Sequence, residues 1–191
     1  MKKALCIAVA IMAFPGAALA QLPPVGYIGL YIDTSPPPST CCVTGENFYP
    51  VEMYIWCLPS EHGMICSEFR VEYPVNIIQS TVTTNTNIII IPPHGDLATG
   101  VSVCYIECMW DWHWNFHQTL YVTDSMPTCA NIAKHPDPLI TCVHFANCLP
   151  EYPTECVTVH SRLCFNQECP PEHCIGTKEA SWGAVKSLFR E

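Results

Sequence analysis

Fourteen cysteines in 191 residues restrict the folds open to this chain more than any other feature. Cysteine at that density suits a structure held by disulfides in an oxidising compartment. The N-terminus points to such a compartment. In MKKALCIAVAIMAFPGAALA, basic Lys2 and Lys3 precede an apolar run from Ala4 to Phe14, and Ala18-Leu19-Ala20 forms a cleavage site before Gln21. The pattern predicts a secretory signal peptide over residues 1–20, with an apolar part too short to cross a bilayer. The expected mature chain is soluble and secreted, to the periplasm, the cell surface or the medium. Cleavage removes Cys6 and leaves thirteen cysteines, so at least one thiol is free or pairs between chains, which allows a covalent dimer. Cys57 and Cys66 bracket the turn-rich LPSEHGMI and are the favoured local disulfide. Cys41 and Cys42 are adjacent and are expected to reach two different partners.

Losing Lys2 and Lys3 also moves the formal charge from −9 to −11. Between residues 21 and 177 the basic side chains are Arg70, Lys134 and Arg162, against fifteen acids. Such a body repels phosphate backbones and anionic lipid, which argues against nucleic acid as a partner. Membrane insertion is not expected either, since even the run Asn87 to Ile91 stops at Pro92-Pro93.

The body reads as strands. In CSEFRVEY, Phe69, Val71 and Tyr73 alternate with charged residues, and in VEMYIWC, Val51, Met53, Ile55 and Cys57 share one face. Further β-branched and aromatic runs occupy 25–32, 75–82, 87–91, 101–108, 119–124, 139–145 and 154–160, separated by TSPPPST, PPHGDLATG, HPDP and LPEYP. The expected fold is all-β: an antiparallel β-sandwich over 21–160, immunoglobulin-like or cohesin-like in outline, with a closed barrel as the runner-up. Residues 161–176 read as a disulfide-tethered, cysteine-rich loop region. A short amphipathic C-terminal helix is expected over 177–191, where Trp182, Val185, Leu188 and Phe189 fall at helical spacing.

CMWDWHWNFH, residues 108–117, is the densest aromatic stretch. Extended, it would hold His113 and His117 about 13 Å apart, too far for one metal ion. One strand from 101 to 124 would be too long, so a hairpin is expected here, with Asp111 and Asn115 as turn formers. Trp110, Trp112 and Trp114 then stand at a sandwich tip. Capping the core is one use for them; stacking on a glycan or docking a surface protein is the other.

Catalytic patterns are sparse. G-x-S-x-G, H-E-x-x-H and C-x-x-C do not occur. Cys164, Cys169, His173 and Cys174 lie close in sequence, but with C-x4-C spacing and no second knuckle they favour disulfides over zinc. No metal or other cofactor is expected, no catalytic residue is singled out, and the chain is not expected to be an enzyme. A secreted hydrolase with paired carboxylates is the less favoured alternative.

The segment EASWGAVKSLFRE resembles a tail, W-G-x-[VI]-K-x-[LM]-[YF]-R, that closes many exported cysteine-rich β-sandwich proteins of environmental bacteria. Trp182, Gly183, Val185, Lys186, Leu188, Phe189 and Arg190 carry the match. The opening strand, Ile28-Gly29-Leu30-Tyr31-Ile32-Asp33, also resembles theirs. The resemblance implies an exported β-sandwich and transfers no catalytic residue; the favoured reading of the chain as a whole is a non-catalytic structural or interaction module. It further suggests that the tail, through Trp182, Lys186, Phe189 and Arg190, is a recognition or sorting element; a helix packing back on the domain through Trp182 and Phe189 is the alternative.

Overall fold

The computed structural model describes residues 25–45, 48–86 and 94–169. The expected signal peptide, the strand-like run at 87–91 and the expected helix at 177–191 lie outside them. The described strands are β1 (Tyr27–Tyr31), β2 (Cys42–Val43), β3 (Pro50–Leu58), β4 (Met64–Glu72), β5 (Ile77–Thr84), β6 (His94–Asp96) and β7 (Gly100–Met109). β8 (His113–Val122), β9 (Thr128–Ala133), β10 (His144–Ala146), β11 (Thr154–Cys156), β12 (Thr158–Ser161) and β13 (Leu163–Phe165) follow. No helix among the described residues is long and apolar enough to cross a membrane.

Two sheets form the sandwich. The front sheet runs β12-β1-β3-β8-β5, and the back sheet runs β11-β10-β4-β9-β13-β2, with β7 also on β4 and β6 on β7. Pairing is antiparallel except between β1 and β12 and between β13 and β2. The fold is thus the expected disulfide-bonded sandwich, and β13 carries the back sheet to Phe165, into the stretch read as loop.

Alternation decides which residues lie between the layers. From β3 come Val51, Met53, Ile55 and Cys57; from β4, Phe69 and Val71; from β7, Val101, Val103 and Tyr105; all are buried. Phe69 of the back sheet meets Phe116 of the front sheet edge to face, with ring centroids 6.1 Å apart.

The hairpin expected within 110–115 is instead an arch at 110–112. β7 pairs with β4 and β6, whereas β8 pairs with β3 and β5, so the chain crosses from the back sheet to the front sheet there. Asp111 does help to turn the chain, its carboxylate accepting the Trp112 amide at 2.7 Å. Asn115 does not: it is a fully buried residue of β8. The period of two specifies two strands and a break but not whether they share a sheet.

The expected Cys57–Cys66 bond is also corrected. β3 and β4 lie in different layers, and Cys57 points into the core while Cys66 lies outside the back sheet, bonded to Cys104 directly opposite on β7. Cys129 of β9 and Cys164 of β13 are bonded in the same cross-strand manner, and Cys108–Cys148, Cys142–Cys156 and Cys42–Cys169 add further ties. Because Cys42 pairs with Cys169, the adjacent Cys41 and Cys42 are not joined to each other.

Cys57 is the free cysteine among the described residues. The Asn115 amide donates to its sulfur at 3.2 Å and to the Tyr105 hydroxyl oxygen at 2.8 Å, and the Tyr105 and Ser67 hydroxyls lie 3.0 Å apart. Burial pushes both the Cys57 thiol and the Tyr105 hydroxyl well up from their ordinary ranges. A neutral thiol sealed in the core is a poor nucleophile, and a disulfide between chains through Cys57 would require the sandwich to open. Ellman's reagent is therefore expected to leave Cys57 unmodified in the native protein and to titrate it once guanidinium unfolds the chain; rapid native reaction would contradict this burial.

His113 enters β8 beside this network, its ring edge-on to Tyr105 at 5.1 Å. Burial lowers its pKa from 6.5 to about 4, against weaker upward pulls from Asp111. The unfolded chain takes up this proton below about pH 6.5 and the folded chain only near 4. The contribution to stability is intact above 6.5 and falls between 6.5 and 4, by up to about 1.4 kcal/mol per pH unit. Urea unfolding should show wild type losing about 2 kcal/mol more than His113→Gln between about pH 7.5 and pH 5.

Candidate docking face

The outer surface of the front sheet gathers the most distinctive exposed chemistry. On β3, the residues between the core positions are Glu52, Tyr54 and Trp56. On β8, a bulge opposite Ile55 and Trp56 inserts Asn115, so that Ile55 pairs with Phe116 and Trp56 with Trp114. The extra residue resets the alternation: Phe116 turns inward while Trp114 and His117 stay outside.

These residues form a connected strip. His117 stacks on Tyr54 with centroids 4.6 Å apart, and Trp114 meets Tyr54 edge-on at 5.8 Å. The His117 Nε2 contacts the Glu52 carboxylate, to which the Thr119 hydroxyl donates at 3.1 Å. Burial raises the Tyr54 hydroxyl above its ordinary pKa, and the Glu52 charge adds to that. Next along the face, Tyr121 pairs with Ile78 of β5, and they are 39% and 54% exposed. The strip is therefore partly apolar and partly exposed, with a carboxylate at its centre.

One end of the face is covered. Tyr31 and Trp56 are buried beneath the segment from Asp33 to Cys42, with Trp112, Trp114 and Cys169 packed around them. The Asp33 carboxylate accepts the Ser39 and Thr40 amides at 2.8 and 2.6 Å, and the Trp56 indole donates to the Asp33 carbonyl at 2.9 Å. A second small core thus sits on the outside of the sheet. The sulfurs of Cys41, Cys42 and Cys169 lie within 4.8 Å of one another there, and the disulfide joins two of them.

The three tryptophans read as one tip have different neighbours. Trp112 and Trp114 belong to this second core. Trp110 is 52% exposed and rests by Gly63 and Cys148. Gly63 has φ near +70°, and a Cβ there would come within 3.0 Å of both the Trp110 ring and the Cys148 sulfur. Glycine is what permits this approach.

The histidines of the aromatic stretch separate in the same way, with His113 in the core and His117 outside. Cys164 and Cys169 of the weighed zinc set lie in disulfides to different partners, and His173 and Cys174 lie outside the described residues, as do the tail residues Trp182, Lys186, Phe189 and Arg190. On the back sheet, Ser102 and His144 both bond Glu68, at 2.6 and 2.9 Å. The serine hydroxyl there faces a carboxylate and not an imidazole, which is not the arrangement that activates a nucleophile.

Sequence reasoning missed Glu52, Tyr54, His117, Thr119 and Tyr121. Glu52 and Tyr54 were legible as the second face of VEMYIWC. The β8 members depend on the bulge, which the sequence does not mark.

No protein-family model matches the chain, and no curated protein matches it in sequence. Among solved structures, it is similar to the sixth cohesin of Acetivibrio cellulolyticus scaffoldin B, solved in complex with a Cel5 dockerin mutant. The TM-score is 0.52 and the identity 9%, over 75% of this chain and 99% of that one. It is also similar to a cohesin module from a Clostridium perfringens family 33 glycoside hydrolase, with TM-score 0.50 and 10% identity over 75% and 98% of the two chains. The architecture is that of a cohesin-like, Ig-like sandwich.

Proposed function

We propose that this chain is an exported, non-catalytic interaction module that docks a protein partner on the outer face of its front sheet. The observation that carries the proposal is the strip of Tyr54, His117, Tyr121 and Ile78, left partly exposed around Glu52 on a rigid sheet. Aromatic side chains on a fixed backbone supply contact area at low entropic cost, and they concentrate where proteins bind one another. The cohesin likeness supports the reading, since one similar structure was solved holding a dockerin. The signal-peptide pattern supports a location outside the cytoplasm, at the cell surface or beyond. Given the acidic body, the partner surface is basic and apolar in turn.

The test is capture from the secreted and surface fractions of the source, using wild type, Tyr54→Ala/Tyr121→Lys, and Ile106→Lys on the back sheet. A specific partner should be retained by wild type and Ile106→Lys and lost by the front-sheet variant. Equal retention by all three removes the proposal. The half-exposed Trp110 is the feature that favours a glycan instead. Titrating polysaccharides while following tryptophan fluorescence, with Trp110→Ala as control, tests that alternative.

A further inference from the structure

We infer that the C-terminal segment, residues 177–191, is itself an occupant of the front-sheet face and covers it until a partner displaces it. This inference rests on the docking-face reading above and names what competes for that face. Three observations carry it.

The first is position. Cys169 is bonded to Cys42 and packs in the same outer cluster as Tyr54 and Trp114. Whatever follows Cys169 leaves from the edge of the strip. The second is reach. Residues 170–176 span at most about 25 Å when extended. The strip from Trp114 to Tyr121 is roughly 24 Å long. The segment can therefore lie anywhere along it.

The third is chemistry. In a helix, Trp182, Val185 and Phe189 recur at i, i+3 and i+7, an apolar stripe suited to Tyr54, Tyr121 and Ile78. Lys186 borders that stripe and offers a cation to Glu52. Residues 21–177 hold only three basic side chains, so Lys178, Lys186 and Arg190 are half of the mature chain's positive charge. Folding them back on an acidic domain is electrostatically favourable.

The experiment uses the full mature chain and measures carbethoxylation of His117 by diethyl pyrocarbonate, mapped by mass spectrometry. His94, exposed on the back sheet, is the internal reference. Trp182→Ala/Phe189→Ala is expected to raise the His117 rate about tenfold, as when a tenfold-preferred docked state is abolished, and to leave His94 unchanged. Lys186→Glu, which keeps every apolar group, should raise it about threefold, the scale of one exposed ion pair, and carries the test should the double variant not fold. Unchanged His117 rates in the folded variants overturn the inference. Wild-type protection that disappears on dilution also overturns it, because the occupant is then the tail of a second copy. Tail variants that unmask His117 while no partner depends on Tyr54 would keep the docked tail and remove the protein-docking function. Tyr54-dependent capture with unchanged His117 rates would do the reverse.

Discussion

Trp56→Ala is expected to lower the unfolding free energy by about 3–5 kcal/mol, the range for deleting a large buried aromatic side chain. Trp56 is 2% exposed, yet it faces away from the main core. Its ring fills the small outer core with Tyr31 and Cys41, and its indole N–H holds the Asp33 carbonyl. The loss should therefore begin locally. The Ser39 and Thr40 amides, which the Asp33 carboxylate accepts, are expected to lose hydrogen-exchange protection before the strand amides of β3 and β8. Trp110→Ala is the control: that ring is half exposed, and its removal should cost about 1 kcal/mol or less. Denaturant unfolding of the two variants side by side decides the matter, and equal losses would mean that the outer core contributes no more than a surface contact.

The second large effect is expected from removing the cross-strand disulfide of β9 and β13. Cys129→Ala/Cys164→Ala opens a link across 35 residues of sequence and is expected to cost about 2–5 kcal/mol. Cys164 is fully buried, and β13 is a short strand of three residues between β9 and the two-residue β2. Such strands have few ladder hydrogen bonds of their own, so the covalent tie largely fixes their position. Cys57→Ala, which breaks no cross-link, should cost clearly less. A thermal-unfolding series of the two variants under oxidising conditions measures the difference, and a double variant as stable as Cys57→Ala would show the strands to be held without sulfur.

The sandwich was legible because one physical quantity, the alternation of apolar and polar residues, both marks a strand and says which face is buried. Val51, Met53, Ile55 and Cys57 lie inside as their spacing requires, and so do Phe69 and Val71. What alternation does not carry is partnership. Cys57 and Cys66 are close in sequence and flank a turn, but the turn hands the chain from one layer to the other, and the residue opposite Cys66 arrives only at Cys104. The same limit turned the arch at 110–112 into an expected hairpin. The candidate face was half legible: Glu52 and Tyr54 follow from β3, whereas His117 and Tyr121 face outward only because Asn115 bulges from β8. A bulge is set by tertiary packing, here by the buried amide reaching Tyr105 and Cys57, and leaves no local signature.

The parallel pairing of β1 with β12 has a consequence for biosynthesis. Ile28 and Leu30 are fully buried, yet the neighbour that completes their strand, at Val159, is synthesised after every other strand of the front sheet. Until then the nascent chain holds an open edge, and closing a loop of that length is slow. The front sheet therefore cannot close on this side before β12 has been made, and a product terminated before Thr158 leaves the β1 edge open.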